Sequence, residues 1–375
     1  MLETGRLHRY NTLADAPSET ALLEREYADW QGAAYCLACA SGGQALQIAM
    51  RAAGVAPGDA VLTNAFTLAP VPGAIAAVGA RPVLVEITPD LVLDLEDLAV
   101  QARASGARFL LLSHMRGHLV DMQRLMQLAR DLGLVVIEDC AHTMGARWNG
   151  TKSGNFGLAG CFSTQTYKHM NAGEGGLLTS DDPAFMARAI ILSGSYMLYE
   201  RHGAAPPAAY FDAARLDMPN MSARMDNLRA AILRPQLRAL DGAIADWNMR
   251  HDIVARHLAK VTTAVLPRRP EAEDYVGSSI QFRVPGLAPE AALGLIDRLA
   301  ARGIEVKWFG RDVPQGFTSS HRNWRYVAAS DLPQTDDILS TLFDMRLPLS
   351  FSCADCEVIG TILAEEIDTC REVAA

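Results

Sequence analysis

The sequence contains no apolar run approaching the roughly 20 residues that a membrane-spanning helix requires, and no long run of lysine and arginine. Its 34 basic and 43 acidic residues leave a formal net charge of −9. That balance argues against a nucleic-acid or anionic-membrane surface, while leaving room for a local basic pocket. The first residues, "MLETGRLHRYNTLADAPSE", lack the apolar core of a secretory signal, so the expected location is cytoplasmic. Cysteine is scarce and odd in number, seven in all, which does not suit a disulfide framework. Two CxxC pairs, Cys36 with Cys39 and Cys353 with Cys356, lie at opposite ends of the chain. The first reads as a buried strand, and the second as a helix start with Ser352 as cap and Asp355 three residues on. No metal site is expected from them. Internal repeats and low-complexity tracts are lacking as well.

What is present is an ordinary globular composition, 375 residues with 50% apolar and 21% charged side chains, enough for a large domain and a smaller one. From about residue 33 to 180, apolar runs of strand length alternate with segments of helical period. "AVLTN", "RPVLVEI", "ARFLLLS" and "LVVIED" are the strands, with "PVPGAIAAVGA", "LDLEDLAVQAR" and "DMQRLMQLARDLG" between them. This grammar predicts an α/β fold, a parallel sheet with helices on both faces. Ligands of such sheets bind at the carboxyl ends of the strands, which singles out Ser41, Asn64, His114, Asp139 and Ser163. Residues 222 to about 257 read as mostly helical, with a kink at Pro235. Beyond "PRRPEAED" the pattern becomes that of a smaller α+β domain. The expected division is 1–257 for the large domain with its N-terminal segment, and 258–375 for the small one.

Three places carry chemistry. Asp139 follows five apolar residues, and a buried carboxylate there must be paired; it can hold a cationic ring nitrogen, bind a metal or cap the next helix. In "SGGQ", Gly42, Gly43 and Gln44 open a helix after a strand, so free backbone N–H groups and the helix N-terminus favour an anion. The loop is neither GxGxxG nor GxxxxGK[ST]. Lys168, in "FSTQTYKHMNAGEGG", is one lysine on a bend rich in hydroxyls and followed by glycines. A lysine that is partly buried loses its proton readily and serves as a Schiff-base nucleophile. A strand-end acid, an anion cup and such a lysine converge on pyridoxal 5′-phosphate.

With these residues in place, the chain resembles the DegT/DnrJ/StrS family of sugar aminotransferases, fold-type-I pyridoxal-phosphate enzymes. The resemblance is collinear from about residue 20 to 260, through "SGGQALQIAMRAAGVAPGDAVLTNAFT", "GARPVLVEI", "SHMRGHLVDM", "VIEDCAHTMGARWNG", "FSTQTYKHMNAGEGGLLTSDD" and "RMDNLRAAI". It implies a large domain with a mostly parallel sheet and a smaller C-terminal α+β domain. It also implies that Lys168 forms the internal aldimine and shuttles the proton, and that Asp139 keeps the ring nitrogen protonated. His142 falls beside the cofactor's phenolic oxygen. Ser163 and the Gly42–Gly43 backbone take the phosphate. Asn220 or Ser222 reaches the phosphate of the neighbouring subunit in a homodimer with shared sites.

There are departures from the family pattern. Gly43 replaces a threonine of the cup, Leu68 stands where an aromatic ring stacks on the cofactor, and Arg116 replaces a tyrosine. His114 and His118 read as strand-end hydrogen-bonding residues. His321, Arg322 and Arg325, around Trp324, form either a solvated loop or a site for a substrate carboxylate or phosphate. The expected reaction moves an amino group from glutamate or glutamine to a keto-sugar, nucleotide-sugar or cyclitol. The alternatives are a related pyridoxal-phosphate enzyme running an elimination or another amino-acid reaction, and a non-catalytic cofactor-binding or regulatory protein; Lys168 stands against sugar dehydration, and Lys168, Asp139 and Ser163 together stand against the non-catalytic role.

Overall fold

The computed structural model describes residues 2–11, 17–316 and 318–374. The chain opens with α1 (Glu19–Gln31), then runs through β1 (Tyr35–Cys39), α2 (Gly42–Ala52), β2 (Ala60–Asn64), α3 (Pro70–Ala77), β3 (Arg81–Val85), α4 (Leu95–Ser105), β4 (Phe109–Ser113), α5 (Met122–Leu132) and β5 (Val135–Asp139). A short hairpin of β6 (Arg147–Trp148) and β7 (Thr151–Lys152) leads to β8 (Ala159–Ser163), β9 (Gly176–Ser180), α6 (Pro183–Gly194) and the single turn α7 (Ala209–Asp212). The long α8 (Asn227–Leu258) follows, then β10 (Glu273–Asp274), β11 (Ser279–Arg283), α9 (Pro289–Ala301), β12 (Lys307–Trp308), α10 (Pro333–Ser340), β13 (Leu342–Arg346) and α11 (Cys353–Ala374).

The main sheet has the order β1-β9-β8-β5-β4-β2-β3. The pairs β2–β3, β2–β4, β4–β5 and β5–β8 are parallel, and β9 runs against both β8 and β1. One antiparallel strand therefore interrupts the parallel sheet that the alternation predicts. Each face carries its own apolar layer: α1, α4, α5 and α8 cover one, and α2, α3 and α6 the other. Strands buried on both faces, such as "FLLLS" and "AGCFS", read as continuous apolar runs for this reason. Ser113, Asp139 and Ser163 end three neighbouring strands on one edge.

The smaller unit is a three-stranded antiparallel sheet, β11-β13-β12. Its core combines α9 and α11 with Ile253, Val254 and Leu258 from the last turns of α8. The smaller core thus begins before residue 258, inside a helix whose earlier residues Leu233, Leu237 and Trp247 belong to the large core. That helix continues through Pro235, which lacks the N–H that would bond Ala231. Phe309 and the α10 residues Ile338 and Leu339 pack back onto Phe66, Ile87 and Met115 of the large domain. All seven cysteines are free. Cys36 and Cys39 lie on buried β1, and Ser352 and Asp355 cap α11 reciprocally, the Ser352 N–H donating to Asp355 at 2.7 Å and the Asp355 N–H to Ser352 Oγ at 3.1 Å. Among the described residues, no helix is long and apolar enough to cross a membrane.

Candidate active site

A cavity of about 550 Å³ opens at the strand-end edge, between the large domain and the small sheet. Asp139 ends β5 on its floor. The Ser113 hydroxyl donates to Asp139 Oδ2 at 3.1 Å, and the Ala141 N–H to Oδ1 at 3.1 Å. Thr67 in turn donates to Ser113 Oγ at 2.8 Å, so a short chain of hydroxyls fixes the carboxylate. Burial raises the Asp139 carboxyl above its ordinary value, with Lys168 and these donors pulling it back.

The N-terminus of α2 lines another wall. Ser41 caps it, accepting from Gln44 N–H at 3.1 Å, while Gly42 and Gly43 face the cavity. Gly42 is required by packing, because a Cβ there would lie 2.8 Å from Ser163 Cβ. Ser163 is thereby brought against the helix end. Gly176 opens β9 directly beneath, where a Cβ would meet Ser41 O at 2.4 Å. The glycines after Lys168 in the sequence therefore let β9 pass under the α2 N-terminus.

Lys168 sits in the excursion between β8 and β9, which is closed by Thr164 N–H to Gly175 O at 2.9 Å and Thr166 N–H to Gly173 O at 3.1 Å. Its amine lies 2.8 Å from His142 Nε2. The Arg116 N–H, in a left-handed turn at φ 57°, donates to His142 Nδ1 at 3.3 Å. Burial, then Lys168 and Arg116, hold His142 well below its usual range, so the ring is neutral. A neutral ring that accepts at Nδ1 carries its proton on Nε2. It then donates to Lys168, which has to present a lone pair. Burial lowers the Lys168 amine to about 8, with Asp139 opposing and Arg116 and Arg346 assisting. Covalent uptake of pyridoxal phosphate by the apoprotein is expected to rise through a midpoint near pH 8, measured by stopped-flow absorbance. A midpoint above 10, as for an ordinary lysine, would contradict the neutral pair.

The structure brings Gly42, Gly43, Leu68, Asp139, His142, Ser163 and Lys168 to one cavity. Gln44 stands one residue further into α2 and contributes its backbone to the Ser41 cap. Asn220 and Ser222 are exposed and lie outside this cavity, Ser222 N–H donating to Asn220 Oδ1 at 2.9 Å. They do not cap α8, a role taken by Asp226. His321 and Arg322 both engage Asp336, at 2.8 and 2.5 Å. With the exposed Arg325, they do not line the cavity. His114 bonds Glu138 at 3.0 Å and His118 bonds Gln281 at 2.8 Å, as strand-end residues do. Asn64 brackets the Ser113 backbone, accepting from its N–H at 2.9 Å and donating to its carbonyl at 2.8 Å. Sequence reasoning missed Thr67, Ser113, Lys307 and Arg346, all of which line the cavity. The signal for the last two was a cation inside an apolar strand.

The donor set fits pyridoxal 5′-phosphate. The α2 N-terminus and Ser163 can take its phosphate, Asp139 its ring nitrogen, Leu68 a ring face, and Lys168 its aldehyde. Fold and site together define a pyridoxal-phosphate-dependent aminotransferase. The chain belongs to the DegT/DnrJ/EryC1/StrS aminotransferase family, whose profile matches residues 6–363. It is 32% identical to 3-amino-5-hydroxybenzoate synthase of Amycolatopsis mediterranei (strain S699), over 76% of this chain and 72% of that protein. It is 31% identical to L-glutamine:2-deoxy-scyllo-inosose aminotransferase of Streptomyces kanamyceticus, over 71% of this chain and 60% of that one. The crystal structure of a 3-amino-5-hydroxybenzoic acid synthase superposes with a TM-score of 0.83 at 27% identity, covering 98% of this chain and 94% of the other.

Proposed function

We propose that this enzyme transfers an amino group from glutamate or glutamine to a ketone carbon of a sugar, nucleotide-sugar or cyclitol, with its cofactor carried on Lys168. The observation that carries this reading is the Lys168 amine, which burial lowers to about 8 and which lies 2.8 Å from His142 in the cavity that also holds Asp139 and the α2 N-terminus. Pyridoxal phosphate, when bound, supplies an electron sink and a carrier for the amino group. The chain supplies the rest. Asp139, steadied by Ser113 and Thr67, holds the proton on the ring nitrogen; the helix end and Ser163 anchor the phosphate. Lys168 takes the α-proton from the donor and returns it on the opposite side of the exchange, with His142 holding it in position between the two. The names of the two relatives above, one an aminotransferase acting on a ring ketone and one a synthase of an aminated ring acid, support a ring acceptor. Mixing the yellow protein with glutamate or glutamine should bleach the cofactor band, and adding the right ketone should restore it. Persistence of the yellow form with every amino donor would overturn the reading.

The exposed Asn220–Ser222 turn supports a second part of the proposal, a homodimer in which that turn reaches the partner's phosphate site. Mixing Lys168→Ala chains with chains mutated at both Asn220 and Ser222 should restore activity after subunit exchange. One of the two heterodimer sites then carries both defects and the other carries neither. A monomer by light scattering, or no rescue despite exchange, rules the shared site out.

A further inference from the structure

All seven thiols are free, and only Cys353 is partly exposed. It opens α11, with Cys356 three residues further along the helix and 0% exposed. Cys36 and Cys39 have the same C-x-x-C spacing, but secondary structure gives the two pairs opposite capacities. On a strand, three steps carry a residue about 10 Å and turn its side chain to the other face. Cys36 accordingly joins the core on one side of the main sheet and Cys39 the core on the other. A disulfide needs Cα atoms within about 7 Å, so that pair cannot close. In a helical turn, residues i and i+3 share a face with Cα atoms about 5 Å apart, inside the range a disulfide takes. Only the α11 pair combines that spacing with an opening to solvent.

The surroundings divide the work between the two thiols. Cys353 Sγ lies 3.4 Å from the sulfur of Met249, an exposed residue of α8 and a weak acceptor. Cys356 belongs to the smaller core. Arg250 crosses the turn before α11, donating to Phe351 O at 2.6 Å and to Leu349 O at 3.4 Å. Burial raises the Cys356 thiol, Arg250 draws it back, and Cys353, Asp355 and Glu357 push it further up.

We propose that Cys353 and Cys356 form a reversible dithiol site that exchanges with small-molecule disulfides. This goes beyond the aminotransferase reading and does not depend on it. Cys353 gives its proton to water and attacks one sulfur of the disulfide, expelling the first small thiolate. Cys356, deprotonated in turn, attacks Cys353 Sγ and expels the second. One S–S bond breaks and one forms; the small disulfide is reduced to two thiols as the pair is oxidised. Burial of Cys356 fixes this order, because the reagent reaches Cys353 alone. The ring closed by the bond spans four residues. So short a loop constrains the unfolded chain little, which makes the bond a reducible one and not a structural staple.

The test treats the native, pyridoxal-phosphate-loaded protein with excess glutathione disulfide, blocks remaining thiols with iodoacetamide and maps the peptides by mass spectrometry. Wild type should carry a Cys353–Cys356 bond without glutathione, and dithiothreitol should restore both thiols. Cys356→Ser should stop halfway, with glutathione held on Cys353. Cys353→Ser should react about 100-fold more slowly or not at all, since every remaining thiol is buried. Cys356→Ala repeats the trap if serine disturbs the smaller core, and the wild-type arm decides the pairing without any variant. Glutathione retained on wild-type Cys353, absence of the Cys353–Cys356 bond, a bond that forms only in urea, or undiminished reaction of Cys353→Ser would each overturn the site.

Discussion

Lys168→Ala should lower turnover by about 10⁴-fold or more, since in the proposed reaction it removes both the covalent anchor and the group that moves the proton. The protein should still fold. Lys168 is half-buried on a loop, and its one hydrogen bond to a side chain is to His142. The variant should bind pyridoxal phosphate without a covalent link. Borohydride reduction of the wild-type protein, followed by peptide mass spectrometry, should find the cofactor on Lys168; Lys152 or Lys307 carrying it instead would refute the assignment. Rescue by an added small amine would separate loss of the proton carrier from loss of structure.

Asp139→Asn should slow the half-reaction with glutamate by about 10³-fold, equivalent to about 4 kcal/mol of transition-state stabilisation. The amide fills the same space, keeps one oxygen for the Ala141 N–H and can turn its NH2 to the Ser113 hydroxyl oxygen, so the fold and cofactor binding should survive. What it lacks is the negative charge that keeps the ring nitrogen protonated. Asp139 also supports the charge on Lys168. Its neutralisation should therefore move the pH midpoint for covalent uptake further below 8. A half-reaction within a few-fold of wild type would remove the carboxylate from the mechanism. A variant that fails to fold would mark Asp139 as structural.

The alternation of apolar runs and helical segments made the large domain legible, because each buried strand had to be apolar on both faces. Direction was not legible. β9, "GLLTS", reads like its parallel neighbours, and only its pairing with β8 and β1 reverses it. Asp139, Ser163 and Lys168 were visible since each breaks an apolar or glycine-rich pattern. Ser113 and Thr67 were not, because their role depends on strands lying side by side, 26 residues apart in sequence for Ser113 and Asp139. The cluster around Trp324 read equally as a solvated loop or a ligand site, and its acid partner Asp336 stands on α10 and engages His321 and Arg322 within the fold. Short-range composition does not reveal a partner supplied by another element.

Because α8 gives one end to each core, the two parts of the chain are not separable modules. A cut at 257/258 would strip Ile253 and Val254 from the smaller core and leave them exposed on the larger fragment. Neither piece would keep its whole core, so recombination that exchanges the small sheet between relatives has to carry α8 along with it.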